Sequence, residues 1–263
     1  MPNFAAVSRE RHQAFRWLRP KNLTRFSRDT TALLAAAELP KVIPYAPVAF
    51  IAAGASFELV AVLSLFPGKN MFVGPDGRWL ASYTPAIIRS YPFRLLVPEG
   101  ATEPILCIDE ECGLLPRDAN EGEPFFDSHG GVSSVLKEFL SIQANFLRAR
   151  AVTQLAVAGL QQAGLIVPWP IKIQTNGGEQ NVEGLYRIDE TALNAAPIGT
   201  IEKLRALGAL PIAYGQLFSM NQLSIFRTLA DLQVKLAPQP VPALPDTLDE
   251  LFDIGNDAEL HFR

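Results

Sequence analysis

The sequence predicts an α+β fold: a mostly antiparallel sheet of short strands with one long helix and a C-terminal helical cluster. Three observations carry that reading. Between Val48 and Ile108, short apolar runs are divided by turns bearing glycine and proline, the pattern of antiparallel strands. A single stretch from Ser133 to Ala163 repeats its apolar residues at helical spacing. Further apolar segments, stopped at Gly208 and restarted at Pro211 and Asn221, carry helix punctuation.

In chain order, residues 1–28 hold seven basic residues and one acid, Glu10, a net of +6. Phe15, Trp17 and Phe26 are interleaved with them. Basic residues mixed with aromatic ones can bind nucleic acid or anionic lipid. In a chain that is acidic as a whole, the favoured reading is an arm packing its aromatics on the domain. Ala32–Ala37 reads as a short helical piece ended by Pro40, and Val48–Ile51 as a strand. Leu59–Phe66 is apolar except for Ser64, which fits a strand buried on both faces. Pro67-Gly68 turns the chain. Met71–Val73 and Arg78–Tyr83 read as two further strands around the Gly74-Pro75-Asp76-Gly77 turn. Thr84 is positioned to cap a short helix with Pro85 in its first turn, and Pro92 ends it. Arg94–Val97 and Ile105–Ile108 read as strands.

The long helix takes Ser133 or Ser134 as its cap and Gly164 as its stop. Ile171–Thr175 alternates, Asn176-Gly177-Gly178 turns, and Val182–Ile188 alternates back as a hairpin. Thr200–Leu207 and the segments from Pro211 and Asn221 supply the last helices. From residue 237 the chain changes character. Pro238, Pro240, Pro242 and Pro245 stiffen a linker, and six acids against Arg263 give residues 237–263 a net of −5. Leu248, Leu251 and Phe252 lie at helical spacing, so this tail is expected to dock on a basic, apolar surface.

Residues Pro67–Phe93, PGKNMFVGPDGRWLASYTPAIIRSYPF, form the most specific stretch. LCIDEE (Leu106–Glu111), GEPFFD (Gly122–Asp127), PWP (Pro168–Pro170), GLYRIDETALN (Gly184–Asn194) and GALPIAYGQLFSM (Gly208–Met220) follow in order. The ordered set resembles the SapC-like family of bacterial proteins, over Lys41 to Leu236. The resemblance implies a setting beside surface-layer, outer-membrane uptake or flavin halogenase systems, and it supplies no catalytic residues. It divides the chain into a basic N-terminal arm (1–40), a SapC-like α+β domain (41–236), and a proline-rich linker with an acidic tail (237–263).

Composition narrows the function classes. At 48% hydrophobic and 19% charged, the chain is expected to bury a substantial core rather than remain disordered. A net charge of −4 argues against a nucleic-acid binder. Pro44, Pro47, Gly54 and Glu58 interrupt the apolar run Val42–Phe66, against a membrane span. The first residues lack the apolar core and cleavage site of a secretory leader. That predicts a cytoplasmic protein, with export requiring a dedicated secretion system.

Chemical motifs are sparse. No phosphate-binding loop, dinucleotide fingerprint or nucleophile elbow is present, and no cofactor is implied. Cys107 and Cys112 form at most half of a zinc site, since zinc needs three or four ligands. Asp109, Glu110 and Glu111 converge on a metal only if the backbone turns there. Asp127 and His129 match part of a carboxylate–histidine metal site, but a second histidine would have to be His12 or His261, near a chain end. A glycine-rich loop before a helix is the simpler reading.

The candidate binding residues are Asn70, Asp76, Arg78, Trp79, Tyr83 and Arg89, which gather polar and aromatic groups in one turn-rich segment. Loops on a rigid sheet are common binding positions, and tryptophan with arginine is typical of hot spots. In the competing reading Trp79 and Tyr83 simply fill the core. The expected function is a non-enzymatic binding or assembly factor of envelope, surface-layer or uptake systems, with a protein partner, a small-molecule ligand or a second copy of itself. The alternative is an enzyme or enzyme partner, metal-dependent in one version, acting on a small molecule.

Overall fold

The computed structural model describes residues 3–98, 100, 103–116, 121–175 and 177–237. The acidic tail, the linker after residue 237 and the hairpin turn at Asn176 therefore lie outside the described residues. The fold is α+β, with antiparallel sheets, a long helix and C-terminal helices.

A five-stranded antiparallel sheet forms the centre, in the order Thr31–Leu33, Ser56–Val62, Val48–Ala53, Tyr186–Ile188, Ile166–Pro168. Val48–Ala53 and Ser56–Val62 form its tightest pair, with Ala49 opposite Val60 and Ile51 opposite Glu58. Leu59 to Leu63 are all buried. A run without alternation suits this position, because the strand has neighbours on both edges and the long helix packs against it. A second sheet joins Phe4–Ala6, Ile105–Asp109 and Phe93–Leu96. Arg16–Trp17 pairs with Glu123–Pro124. The basic N-terminal segment thus contributes strands to three sheets, and Trp17 is fully buried there.

The long helix runs from Ser134 to Gln162, 29 residues, or about 44 Å at 1.5 Å per residue. Ser133 caps it, its hydroxyl accepting from Leu136 N–H. Gly164, at φ 69°, lets the chain leave it in the left-handed region. Leu136 and Phe139 pack with Trp17, Phe93, Ile108 and Phe125. Ala156, Val157 and Leu160 enter the main core of the central sheet. After Gly208, at φ 67°, the helices Ala209–Ser219 and Ile225–Leu236 complete the cluster. Among the described residues no helix is long and apolar enough to cross a membrane.

Four expectations need correction. Met71–Val73 and Arg78–Tyr83 are not strands; one bridge, Val73 to Trp79, is all that joins them. Side chains satisfy this backbone instead of a ladder: Asn70 Oδ1 accepts from Phe72 N–H, and Gln233 Nε2 donates to the carbonyls of Asn70, Met71 and Val73. Ala32–Ala37 is not helical. Thr31–Leu33 pairs with Val60–Val62, and a 3-10 turn follows at Ala36–Glu38, so sheet pairing overrides alanine's helix preference. The partner of Ile171–Thr175 is Gly178–Val182. Tyr186–Ile188 instead crosses to the central sheet, after a break at Gly184 with φ 81°. Finally, Thr84 does not cap the helix Ala86–Arg89; the carboxylate of Glu38 accepts from Ala86 N–H at 2.7 Å.

Candidate functional site

The six residues of the central segment fall into three settings. Asn70 is buried, and its amide bridges the Phe26 carbonyl and Phe72 N–H. It holds the segment to the N-terminal chain and lines neither the cleft beside Trp79 nor that beside Tyr83. Asp76 and Arg78 are exposed and bond each other across the turn, with Gly74 N–H donating to the Arg78 carbonyl at 2.8 Å. The Arg78 backbone N–H, followed by its guanidinium, holds the Asp76 carboxyl below the usual carboxylate range. Gly77, at φ 78°, presses this turn on Asn22 and Thr24, where a Cβ would approach to 2.6 Å.

Trp79 stacks on Phe72, with centroids 5.3 Å apart, and its indole N–H donates to the Tyr83 carbonyl at 2.8 Å. With Tyr45, Leu80, Ser82, Ile225 and Leu229 it borders a cleft of about 370 Å³. The core reading of Trp79 is therefore half right: one face packs, and another edge lines a cleft.

Tyr83 and Arg89 meet in a second cleft, of about 240 Å³, with Glu38, Lys41, Asn145 and Phe146. Glu38 is buried, and its carboxylate accepts three hydrogen bonds. Ala35 N–H donates at 3.1 Å, Ala86 N–H at 2.7 Å and the Tyr83 hydroxyl at 2.8 Å. The Arg89 guanidinium lies 5.2 Å from the Tyr83 ring centroid and also donates to its hydroxyl at 3.3 Å. Lys41 Nζ lies 5.7 Å from the same centroid. Burial, and then the bond to Glu38, pushes the Tyr83 hydroxyl up to about 12. Among the described residues no carboxylate lies within ion-pair distance of Lys41 or Arg89. The acid of the cleft is committed to structure while its cations remain open to an anionic group.

Glu38 and Lys41 escaped the sequence reading. A lone acid in the apolar run AAAELPKV is the signal that marked them, because an acid there must find partners if it is buried.

The metal candidates separate. Asp127 Oδ1 accepts from the backbone N–H groups of His129, at 3.0 Å, and Gly131, at 2.7 Å. The Gly131 N–H holds the Asp127 carboxyl low. The His129 ring is exposed, with Ser128 Oγ 3.3 Å from its Nδ1. The pair shapes the loop that delivers Ser133 to the helix cap. Asp109 turns inward and accepts from the Tyr91 hydroxyl at 2.9 Å, whereas Glu110 pairs with Arg11. Cys107 and Cys112 form no disulfide, and no group of three possible metal ligands occurs among the described residues.

No curated protein and no solved structure matches this chain. The SapC family model matches residues 7–225, a span that reaches back into the basic N-terminal segment and includes both clefts' central loop, and the chain belongs to the SapC family.

Proposed function

We propose that the protein is a non-enzymatic binding factor whose ligand, a small molecule bearing an acidic group, sits in the Glu38–Lys41–Tyr83–Arg89 cleft. The observation that carries this reading is the imbalance of the cleft: two cations with no carboxylate partner among the described residues flank a tyrosine whose own acid is hydrogen-bonded three times. Arginine and lysine on an aromatic face, beside a shallow pocket, suit recognition of a carboxylate. A general acid or base needs a group free to move a proton; Tyr83 is locked between Glu38 and Arg89, which favours binding over catalysis. The resemblance to SapC-like proteins supports, as part of this proposal, a role beside envelope, surface-layer or uptake systems.

Native mass spectrometry of the freshly isolated full chain tests this. The expected result is a small acidic adduct that is lost in Lys41→Ala and Arg89→Ala while both variants stay folded. An adduct retained in both variants, or conversion of the released compound on incubation with the protein, overturns the reading.

A further inference from the structure

A third cleft is built largely by the N-terminal chain. Leu18 N–H donates to the Leu114 carbonyl at 2.8 Å, and Leu23 N–H to the Gly77 carbonyl at 2.7 Å. These bonds pin the loop Arg19–Asn22 at both ends. Between this loop, Tyr91 and the Cys112–Leu114 turn lies a cleft of about 350 Å³, into which Arg19, Lys21 and Arg25 are gathered. Among the described residues no carboxylate lines it.

The positive charge is only thinly answered. Arg19 meets Glu138 at 3.7 Å, with both side chains more than half exposed, a pairing that contributes little in water. Arg25 lies near Asp29 and the Tyr91 hydroxyl. Asp109, behind Tyr91, is occupied by that hydroxyl and by Asn3 N–H. Among the described residues Lys21 has no carboxylate within ion-pair distance. The Arg19 guanidinium also lies 5.9 Å from the Phe139 ring centroid, at the rim, and three cations lining one concavity repel one another until an anion arrives. Leu18, Leu114 and Tyr91 give the same cleft an apolar side, and its volume exceeds what a lone inorganic anion fills.

We propose that this cleft binds a phosphorylated small molecule, with Arg19, Lys21 and Arg25 on the phosphate and Leu18, Leu114 and Tyr91 against the carbon skeleton. Guanidinium forks match phosphate oxygens in pairs, and a lysine adds a point charge. This site is separate from the Tyr83 cleft, and either proposal can fail alone.

Cys112 lines the cleft and reports on it, whereas Cys107 is buried in a strand elsewhere and serves as the internal control. The full chain is alkylated with iodoacetamide, a neutral reagent, and the two cysteine peptides are followed by mass spectrometry. The probes are glycerol 3-phosphate, inorganic pyrophosphate and, at matched ionic strength, sodium chloride. Either phosphate probe should slow Cys112 alkylation about tenfold at about ten times its Kd, by mass action. Cys107 should be unaffected, and Lys21→Ala should weaken the protection while leaving the circular dichroism spectrum intact. Arg19→Ala serves as the second variant. Equal slowing by sodium chloride, no slowing by either phosphate probe, or full protection in both variants overturns the proposal. Protection by vesicles of phosphatidylglycerol but not by the soluble phosphates overturns it too, by making the ligand a membrane headgroup.

Discussion

Glu38 shows how one side chain can serve fold and site together. Its carboxylate takes two backbone N–H groups and a phenol in a buried position. Removing it leaves those donors unpaired, each at a cost of about 1–3 kcal/mol. Glu38→Ala should therefore lower the urea midpoint by an amount equivalent to about 3 kcal/mol. Asp76→Ala, on an exposed turn, should leave the midpoint unchanged. Burial of the Tyr83 hydroxyl, reinforced by this contact, sets an alkaline limit. Tyr83 ionises near 10 when unfolded and at about 12 in the fold. Between those values the folded state keeps a proton that the unfolded state has lost. The stabilisation is complete below pH 10 and declines as pH rises toward 12. An ultraviolet tyrosinate titration should show one phenol moving back toward 10 in Glu38→Ala, and an unmoved titration would contradict the bond.

At the scale of elements, three helices fasten irregular backbone through glutamine amides. Gln143 of the long helix donates to Ser90 and to the Phe93 carbonyl. Gln233 of the last helix serves the carbonyls of Asn70, Met71 and Val73. Gln216 of the Ala209–Ser219 helix is fully buried, accepts from Ile188 N–H at 2.9 Å and donates to the Val48 carbonyl at 3.2 Å. It closes the gap where Val48–Ala53 and Tyr186–Ile188 share one residue pair, Phe50 with Tyr186. Gln216→Leu keeps the volume but removes the side-chain acceptor of Ile188 N–H and leaves the Val48 carbonyl only the Ser219 hydroxyl, at 3.5 Å. It should cost about 2–4 kcal/mol, read as a lower urea midpoint at unchanged slope. A variant as stable as the parent would show that water replaces the amide.

For the whole molecule, the long helix is the part that unites the cores. Leu136 and Phe139 belong to the cluster around Trp17, Phe146 to a small cluster with Ala35 and Ala86, and Leu160 to the main core. Trp17 reports the first of these and Trp169 the main core. A shared rigid element couples their melting, so unfolding should be one cooperative transition. Tryptophan fluorescence of Trp17→Phe and Trp169→Phe, compared with far-ultraviolet circular dichroism, should give coincident midpoints. Two separated midpoints would mean that the N-terminal cluster folds apart from the central sheet.

Features written within a few residues of one another were legible in the sequence. The capped helix from Ser134, its stop at Gly164, the buried strand before Leu63 and the strand Ile105–Asp109 all rest on local periodicity and turn chemistry. In the fold, Tyr83 and Arg89 of the central segment line one cleft and Trp79 another. The tertiary structure alone decided which of those residues meet and which distant partners they find. Glu38 meets Tyr83 across 45 positions, Gln233 reaches Met71 across 162, and Ser219 accepts from Val48 N–H across 171. Such bonds replace ladder pairing in Met71–Tyr83 and draw Lys41 to the cleft. No local propensity records them, because a side chain's hydrogen-bond partner is chosen by which backbone groups the folded chain leaves buried and unpaired.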